Sequence, residues 1–585
     1  MAHESIDPAI PARGDTTTAT TARAAALSPV YAIADRYIDE LAELDPIAAT
    51  GMGVAGHDDR LPDLSPEGAA ARDELSRRTL SALGAAPIES DRDRVARALM
   101  TDRLGIGRER YDAGDPTRDI RVLGSRMGSV RATFDLMRTD TEADWATVAT
   151  RMHAVPDALA GWIASQRLGV ERGVVAAKRQ AAGCATQAAT WGGLDNDTRP
   201  FFHALTDRYE AAPEHSPALL TRLRAAADAA TTAYAEVARF LRDEYHAAAS
   251  ERDPVGPERY AREARAYLGA TIDPVETSEW GWSELARIEA RAKEVCDRIR
   301  PGSSWSEAVE ALESDPAYVI EGVDDFRAWN QELIDTTIDE LGGTHFDIAA
   351  PLRTCEAMIA PPGGAAAMYY TAPSEDFARP GRTWYPTLGK TRFPLWREVS
   401  ICYHEGVPGH HLQVAQTVYL ADSLSRYQRL SGFISGHGEG WALYAERLMG
   451  ELGYLDDPAW ELGMLAAQAM RAVRVIVDIG MHLELPIPAH ADYHPGAVWN
   501  AELALPFVIE RSRFPADFMR SEVDRYLGLP GQAISYKVGE RVWLECRDES
   551  RRKHGAAFDL RAWHAYALDL GGLGLDDLRT ELARF

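Results

Sequence analysis

Lysine is scarce in this 585-residue chain. Only Lys178, Lys293, Lys390, Lys537 and Lys553 occur, so nearly all positive charge is arginine, which a GC-rich coding bias explains most simply. Cysteine is scarce too: Cys184, Cys296, Cys355, Cys402 and Cys546 are odd in number, widely spaced and free of any CxxC pair. That pattern excludes a disulfide framework and a thiolate zinc site, and it predicts reduced, buried thiols. No run of 18 apolar residues occurs, so no membrane-spanning helix is expected. The opening MAHESIDPAIPARGDTTTATTARAAALSP lacks a basic stretch followed by an apolar one. It reads as a disordered tail over residues 1–27 rather than a secretory signal, and a cytoplasmic location is expected by default.

Basic charge is short overall. Lys and Arg total 63 against 89 Asp and Glu, a net charge of −26. Phosphate backbones and anionic lipid surfaces need clustered Lys and Arg, so neither nucleic acid nor membrane is an expected partner. A G-x-S-x-G elbow, a P-loop and a dinucleotide fingerprint are all missing, which argues against a serine hydrolase and a nucleotide enzyme.

What the chain does have is helical periodicity. Val30, Ile33, Ala34, Tyr37, Ile38, Leu41 and Leu44 share one face at three- and four-residue spacing. Residues 217–249 and 276–300 are filled with strong helix formers. The expected fold is mostly α. A Thr- and aromatic-rich stretch with Pro-Gly punctuation, residues 368–389, reads instead as a short hairpin. No repeat and no Gly/Ser/Pro-rich linker divides the chain, so residues 28–585 are read as one domain with a soft boundary near 340–365.

The chemistry concentrates in Tyr403-His404-Glu405-Gly406-Val407-Pro408-Gly409-His410-His411. His followed by Glu on a helix is the core of zinc hydrolases: the imidazole binds metal and the carboxylate takes a proton from water. The usual second ligand lies four residues on, but that position is Pro408. His410, six residues on, is rotated by roughly 120° in a regular helix, and His411, seven on, is displaced by about 10.5 Å along the axis. Pro408 cannot bond back to the carbonyl of His404, and the flanking glycines tolerate unusual backbone. A two-residue bulge at Gly-Val-Pro-Gly favours His410 as the ligand and leaves His411 as the alternative.

Glu439, in Gly436-His437-Gly438-Glu439-Gly440-Trp441, begins a second amphipathic run and is the candidate third ligand. Two His and one Glu leave a zinc position open for water. Mn2+ or Co2+ would also be accepted by this donor set. His437 is a candidate outer-layer or substrate group, and Glu446 reads as the partner of a nearby Arg. Tyr536 is the candidate oxyanion donor, since a phenol can hydrogen-bond a tetrahedral intermediate. Lys537 is a candidate for a substrate carboxylate. The row Arg471, Arg474, Asp478, His482 reads as an ion-pair ladder that could also line a cleft.

HEGVPGHHLQ, EGWALYAE, VRVIVDIGMH and PGQAISYKVG resemble the domain-of-unknown-function-885 family, helical proteins regarded as zinc metallopeptidases. The resemblance implies a deep-cleft helical fold like Taq-type carboxypeptidases and angiotensin-converting peptidases. It also implies metal ligands His404, His410 and Glu439, Glu405 as general base, and Tyr536 as oxyanion donor. The segment Ala367–Ala372, with Tyr369 and Tyr370, would resemble their substrate-binding edge strand. GGLGL near the C-terminus and LPIPAHADYHPGAVWN depart from the family pattern, which bears on substrate preference rather than metal binding. The expected activity is cleavage of short or unstructured peptides. A hydrolase of a non-peptide amide or ester, and a non-catalytic helical binding protein, are the alternatives.

Overall fold

The computed structural model describes residues 28–195, 198–360 and 368–585, so the tail expected over residues 1–27 lies outside the described residues. The fold is mostly α: 68% helix against 5% strand, so helices supply the cores. The first, α1 (Pro29–Leu44), buries Val30, Ala34, Tyr37 and Ile38 along one stripe, and the Ser28 side chain caps it by accepting from Tyr31 N. Farther along come α2 (Pro217–Arg239), α3 (Gly256–Leu268), α4 (Pro274–Ile299) and α5 (Val323–Leu341). The helices expected at 217–249 and 276–300 are therefore present, the former continuing past Arg239 as a wider turn.

The site-bearing half contains α6 (Glu398–Glu405), α7 (His410–Tyr419), α8 (Ser435–Glu451), α9 (Pro458–Leu483), α10 (Ala516–Gly528) and α11 (Ser535–His554). Helix α9 is buried on every side from Leu465 to His482, its polar row Gln468, Arg471, Arg474, Asp478 and His482 included. It packs along α4, while α8 packs along α11. Among the described residues no helix is long and apolar enough to cross a membrane.

Among the described residues three hydrophobic cores result. One lies among the N-terminal helices around Trp162, Phe202, Leu223 and Tyr234. A second lies between α4 and α9, around Trp282, Val473, Trp499 and Phe507. The central core joins Phe326, Ile338 and Phe346 to Cys355, Trp441 and Trp543, and so draws on both sides of residues 340–365.

Among the described residues there are five short strands: β1 (Val319–Glu321), β2 (Cys355–Ile359), β3 (Tyr369–Thr371), β4 (Gly381–Tyr385) and β5 (Arg392–Pro394). The expected hairpin is β3–β4, antiparallel with Tyr369 opposite Trp384. Strand β2 adds to β4 in parallel, giving the order β2-β4-β3 with β3 at an edge. The β1–β5 pair and β2 were not anticipated. They are three to five residues long, too short for a period-two pattern to register.

Candidate metal centre

The turn after Glu405 builds the site. In place of a bulge within one helix, the structure ends α6 at Glu405 and restarts at His410, with a cis Val407–Pro408 peptide between them. Pro408 offers no N–H to continue the ladder. The backbone bonds are made otherwise: Gly409 N donates to Tyr403 O at 3.0 Å and His411 N to Gly406 O at 3.0 Å. The Trp441 indole donates to Pro408 O at 2.9 Å. A Cβ on Gly409 would stand 2.0 Å from His404 O and 2.4 Å from Tyr403 O, so only glycine permits the chain to fold back this tightly. The result turns His410 onto His404, ring centroids 4.8 Å apart and planes at 85°.

Helix α8 delivers the third group. Glu439 Oε2 lies 3.4 Å from His404 Nε2 and 3.5 Å from His410 Nε2. That oxygen is buried and has no hydrogen-bond partner. Glu405 joins the two histidines with ligand atoms all within 4.8 Å of one another. The approach of α8 to α11 depends on glycine on both sides: a Cβ on Gly440 would meet Gly539 at 2.5 Å, and one on Gly539 would meet Gly436 O at 2.0 Å. This closeness brings Glu439 and Tyr536 to one cavity wall.

Charge is balanced tightly. Burial would raise the Glu439 carboxyl, but His404 and His410 beside it hold it well below the usual carboxylate range. Burial and Arg471 push His404 down, yet Glu439 and Glu446 together raise it to about 9. Behind His404, Glu446 accepts from Nδ1 at 2.7 Å and from the Ser400 hydroxyl at 2.6 Å, and pairs with Arg471 at 3.2 Å. Glu446 thus pairs with an Arg as expected, and orients His404 as well. Two imidazole nitrogens, a carboxylate oxygen without a partner and a carboxylate fixing one ring suit a divalent cation such as zinc.

The cluster sits in the wall of a cavity of about 770 Å³. Tyr369, Tyr370, Arg474 and Tyr536 all line it, together with Arg471. Burial, then the Glu439 charge, raises the Tyr536 phenol, so it keeps its proton. Arg474 lies 4.5 Å over the Tyr536 ring and is tied to Glu522 at 2.7 Å and to the Tyr526 hydroxyl at 3.1 Å. Strand β3 carries Tyr369, stacked on Trp384, and Tyr370; Ala367 lies outside the described residues.

Three expected residues are not brought to the cavity. His411 donates from Nε2 to Leu352 O at 2.8 Å and accepts from the Tyr370 hydroxyl at 3.0 Å, so neither nitrogen is free for a metal. His437 is buried with its ring stacked on Trp543 and Nδ1 3.1 Å from Gln413, and it does not line the cavity. Lys537 is buried and held by Glu284 and Gln468 at 2.7 Å each and by Glu540, so it has no charge left for a substrate carboxylate. Of the Arg471–His482 row, only the two arginines line the cavity; Asp478 bonds Tyr260 and Gly531, and His482 bonds Tyr526 O. Among the lining residues the sequence did not point to is Glu398, whose Oε2 is buried without a partner and whose carboxyl burial raises to about 7. Its spacing from Ile401 and Glu405 puts all three on one helical face, which was the available signal.

These features define a large helical protein with a candidate divalent-metal centre in the wall of a cavity. The chain belongs to the family described as "Bacterial protein of unknown function (DUF885)", whose model matches residues 46–582. Among solved structures it is similar to one described as a "putative lipoprotein" from Colwellia psychrerythraea, with 22% identity and a TM-score of 0.80, covering 95% of this chain and 99% of that one. It is also similar to a "putative lipoprotein of unknown function" from Shewanella oneidensis, with 17% identity and a TM-score of 0.71, again covering 95% and 99%. Among curated proteins none matches.

Proposed function

We propose that this chain is a zinc-dependent hydrolase that cleaves peptide bonds in short or unstructured peptides. The observation that carries the reading is the meeting of His404 Nε2 and His410 Nε2 at one partnerless carboxylate oxygen, Glu439 Oε2, in a cavity wall. His404, His410 and Glu439 would hold the metal. When bound, zinc supplies Lewis-acid polarisation of water and of the scissile carbonyl.

The chain's own groups do the rest. Glu405, facing the same cavity, takes a proton from the attacking water and hands it to the leaving amine. Tyr536, held in its protonated form, donates to the oxygen that becomes negative as the carbonyl carbon turns tetrahedral. Among the described residues strand β3 pairs on one side only, so an extended peptide has a backbone edge to join. Leu388 and Phe433 line the cavity while remaining 65% and 59% exposed, which gives the entrance an apolar lip for substrate side chains. Five free thiols, all buried, suit the cytoplasm, where we place the reaction.

The test is Glu405→Gln. Metal content is expected to stay at one zinc per chain while peptide turnover falls by about 10²–10⁴-fold. Turnover at the original rate, or a purified chain that takes up no divalent metal, would sink the proposal. A panel pairing peptides with small amides and esters decides the substrate class.

A further inference from the structure

A second cavity, of about 460 Å³, shares no lining residue with the first. It lies between residues 113–120, the loop at 250–255, helix α3 and the end of α10 at Leu527–Gly528. Four guanidinium groups line it, those of Arg118, Arg252, Arg259 and Arg262, with two carboxylates, Asp253 and Glu258. Most of these charges are already committed. Asp253 pairs with Arg179 at 3.0 Å, Arg252 with Glu484, and Arg118 with Asp115 at 2.5 Å. Glu258 is exposed to solvent.

Arg259 and Arg262 are different. Arg262 comes no nearer than 4.0 Å to a carboxylate, that of Asp115. Asp115 and Glu263 act on Arg259 only through space. The Nε of each is buried without a hydrogen-bond partner. Asp115 and Glu263 are also the two carboxylates that pair with Arg110, at 3.2 Å each. Arg110, Arg118, Arg259 and Arg262 stand against Asp115 and Glu263, so guanidinium groups outnumber carboxylates in this partly buried cluster. The strain shows in Arg259, which burial, and then Arg118, lower to about 10. A desolvated cation beside other cations is costly unless an anion joins it.

We propose that this cavity is a binding site for a doubly charged tetrahedral oxyanion, a phosphate group either free or carried on a small metabolite, received by the guanidinium forks of Arg259 and Arg262. Planar forks with unpaired N–H groups match phosphate oxygens bidentately, and an anion offsets the local excess of guanidinium groups. The volume leaves room for more than the oxyanion itself.

The experiment uses the full chain. Inorganic phosphate, sulfate and chloride are titrated at matched ionic strength, reading melting temperature and amide hydrogen exchange. Phosphate and sulfate are expected to raise the melting temperature saturably, with new protection at residues 113–120 and 256–262. Arg259→Gln is expected to weaken the apparent phosphate Kd by about tenfold or more. Arg259→Lys, which keeps charge but not the fork, is expected to fall between. Tighter binding of glycerol phosphate than of phosphate assigns the site to a small phosphorylated metabolite, and equal binding assigns it to the free ion. An equal response to chloride, an unchanged Kd in Arg259→Gln, or protection confined to residues 398–410 would overturn the proposal. If Arg259→Gln does not fold, the exchange pattern of the unaltered chain decides.

Discussion

Glu446 Oε1 and His404 Nδ1 lie 2.7 Å apart in the interior. Burial would raise the Glu446 carboxyl, but Arg471 and His404 keep it below its ordinary value, so it is ionised and can only accept. Nδ1 therefore carries the proton, and Nε2 is the nitrogen that turns toward Glu439 and the cavity. Arg471, 3.2 Å from the same Nδ1, is then a partner of the carboxylate rather than of the ring.

Glu446→Gln removes the charge that fixes this tautomer without altering a proposed ligand. Zinc affinity measured by chelator competition is expected to fall by about 10–100-fold. An unchanged affinity would show that His404 is oriented by something else.

Gly409→Ala tests the broken helix. The added methyl meets two carbonyl oxygens, those of His404 and Tyr403, and neither is the end of a flexible side chain that could swing away. Either the turn opens or the chain loses stability, by about 3 kcal/mol or more. Thermal unfolding and zinc content should fall together. A variant with the original melting temperature and full metal content would mean that the turn carries slack the backbone distances deny.

How far the site was legible follows from sequence distance. His404, Glu405 and His410 stand within seven residues, and side chains of these types clustered so closely mark a candidate metal site. Glu439 was readable from a glycine-flanked helix start. The form of the turn was not, because Pro408 forbids the regular ladder without saying whether a helix bulges or breaks. His411 failed because its partners, Leu352 and Tyr370, lie 59 and 41 residues away and only packing reveals them. The mostly helical fold was readable from period and composition, whereas β2 depends on β4, a strand more than twenty residues on, for its existence.

Lys537 illustrates the same limit and is open to test. Its ammonium sits between Glu284, Gln468 and Glu540, with Glu284 brought from 253 residues away. Lys537→Met strips the buried Glu540 carboxylate of its cation, and breaking a buried pair typically costs about 3–5 kcal/mol. We expect a lower melting temperature with KM unchanged. A raised KM at the original stability would return Lys537 to the substrate site.

Asp478 sets the sign of one part of the pH dependence. It accepts from the Tyr260 hydroxyl at 2.7 Å and from Gly531 N at 2.9 Å, both at Oδ2, while Oδ1 is buried without a partner. Burial raises its carboxyl from 3.8 to about 7, against the lowering effect of those two donors. Between roughly pH 4 and 7 the unfolded chain has released this proton and the folded chain has not. The unfolded state then binds fewer protons, so this group's contribution to stability is full below the unfolded value and is lost as pH rises through the folded one. Asp478→Asn keeps an acceptor oxygen and cannot ionise. Relative to the original chain, its unfolding free energy is therefore expected to gain steadily from pH 4 to 7 and then level off, by an amount on the order of a few kcal/mol. Denaturant unfolding of both chains across that range measures the difference directly, since every other titrating group is common to the two. A difference that stays flat from pH 4 to 8 would mean that Asp478 is ionised in the fold throughout, with its charge met by a partner other than Tyr260 and Gly531.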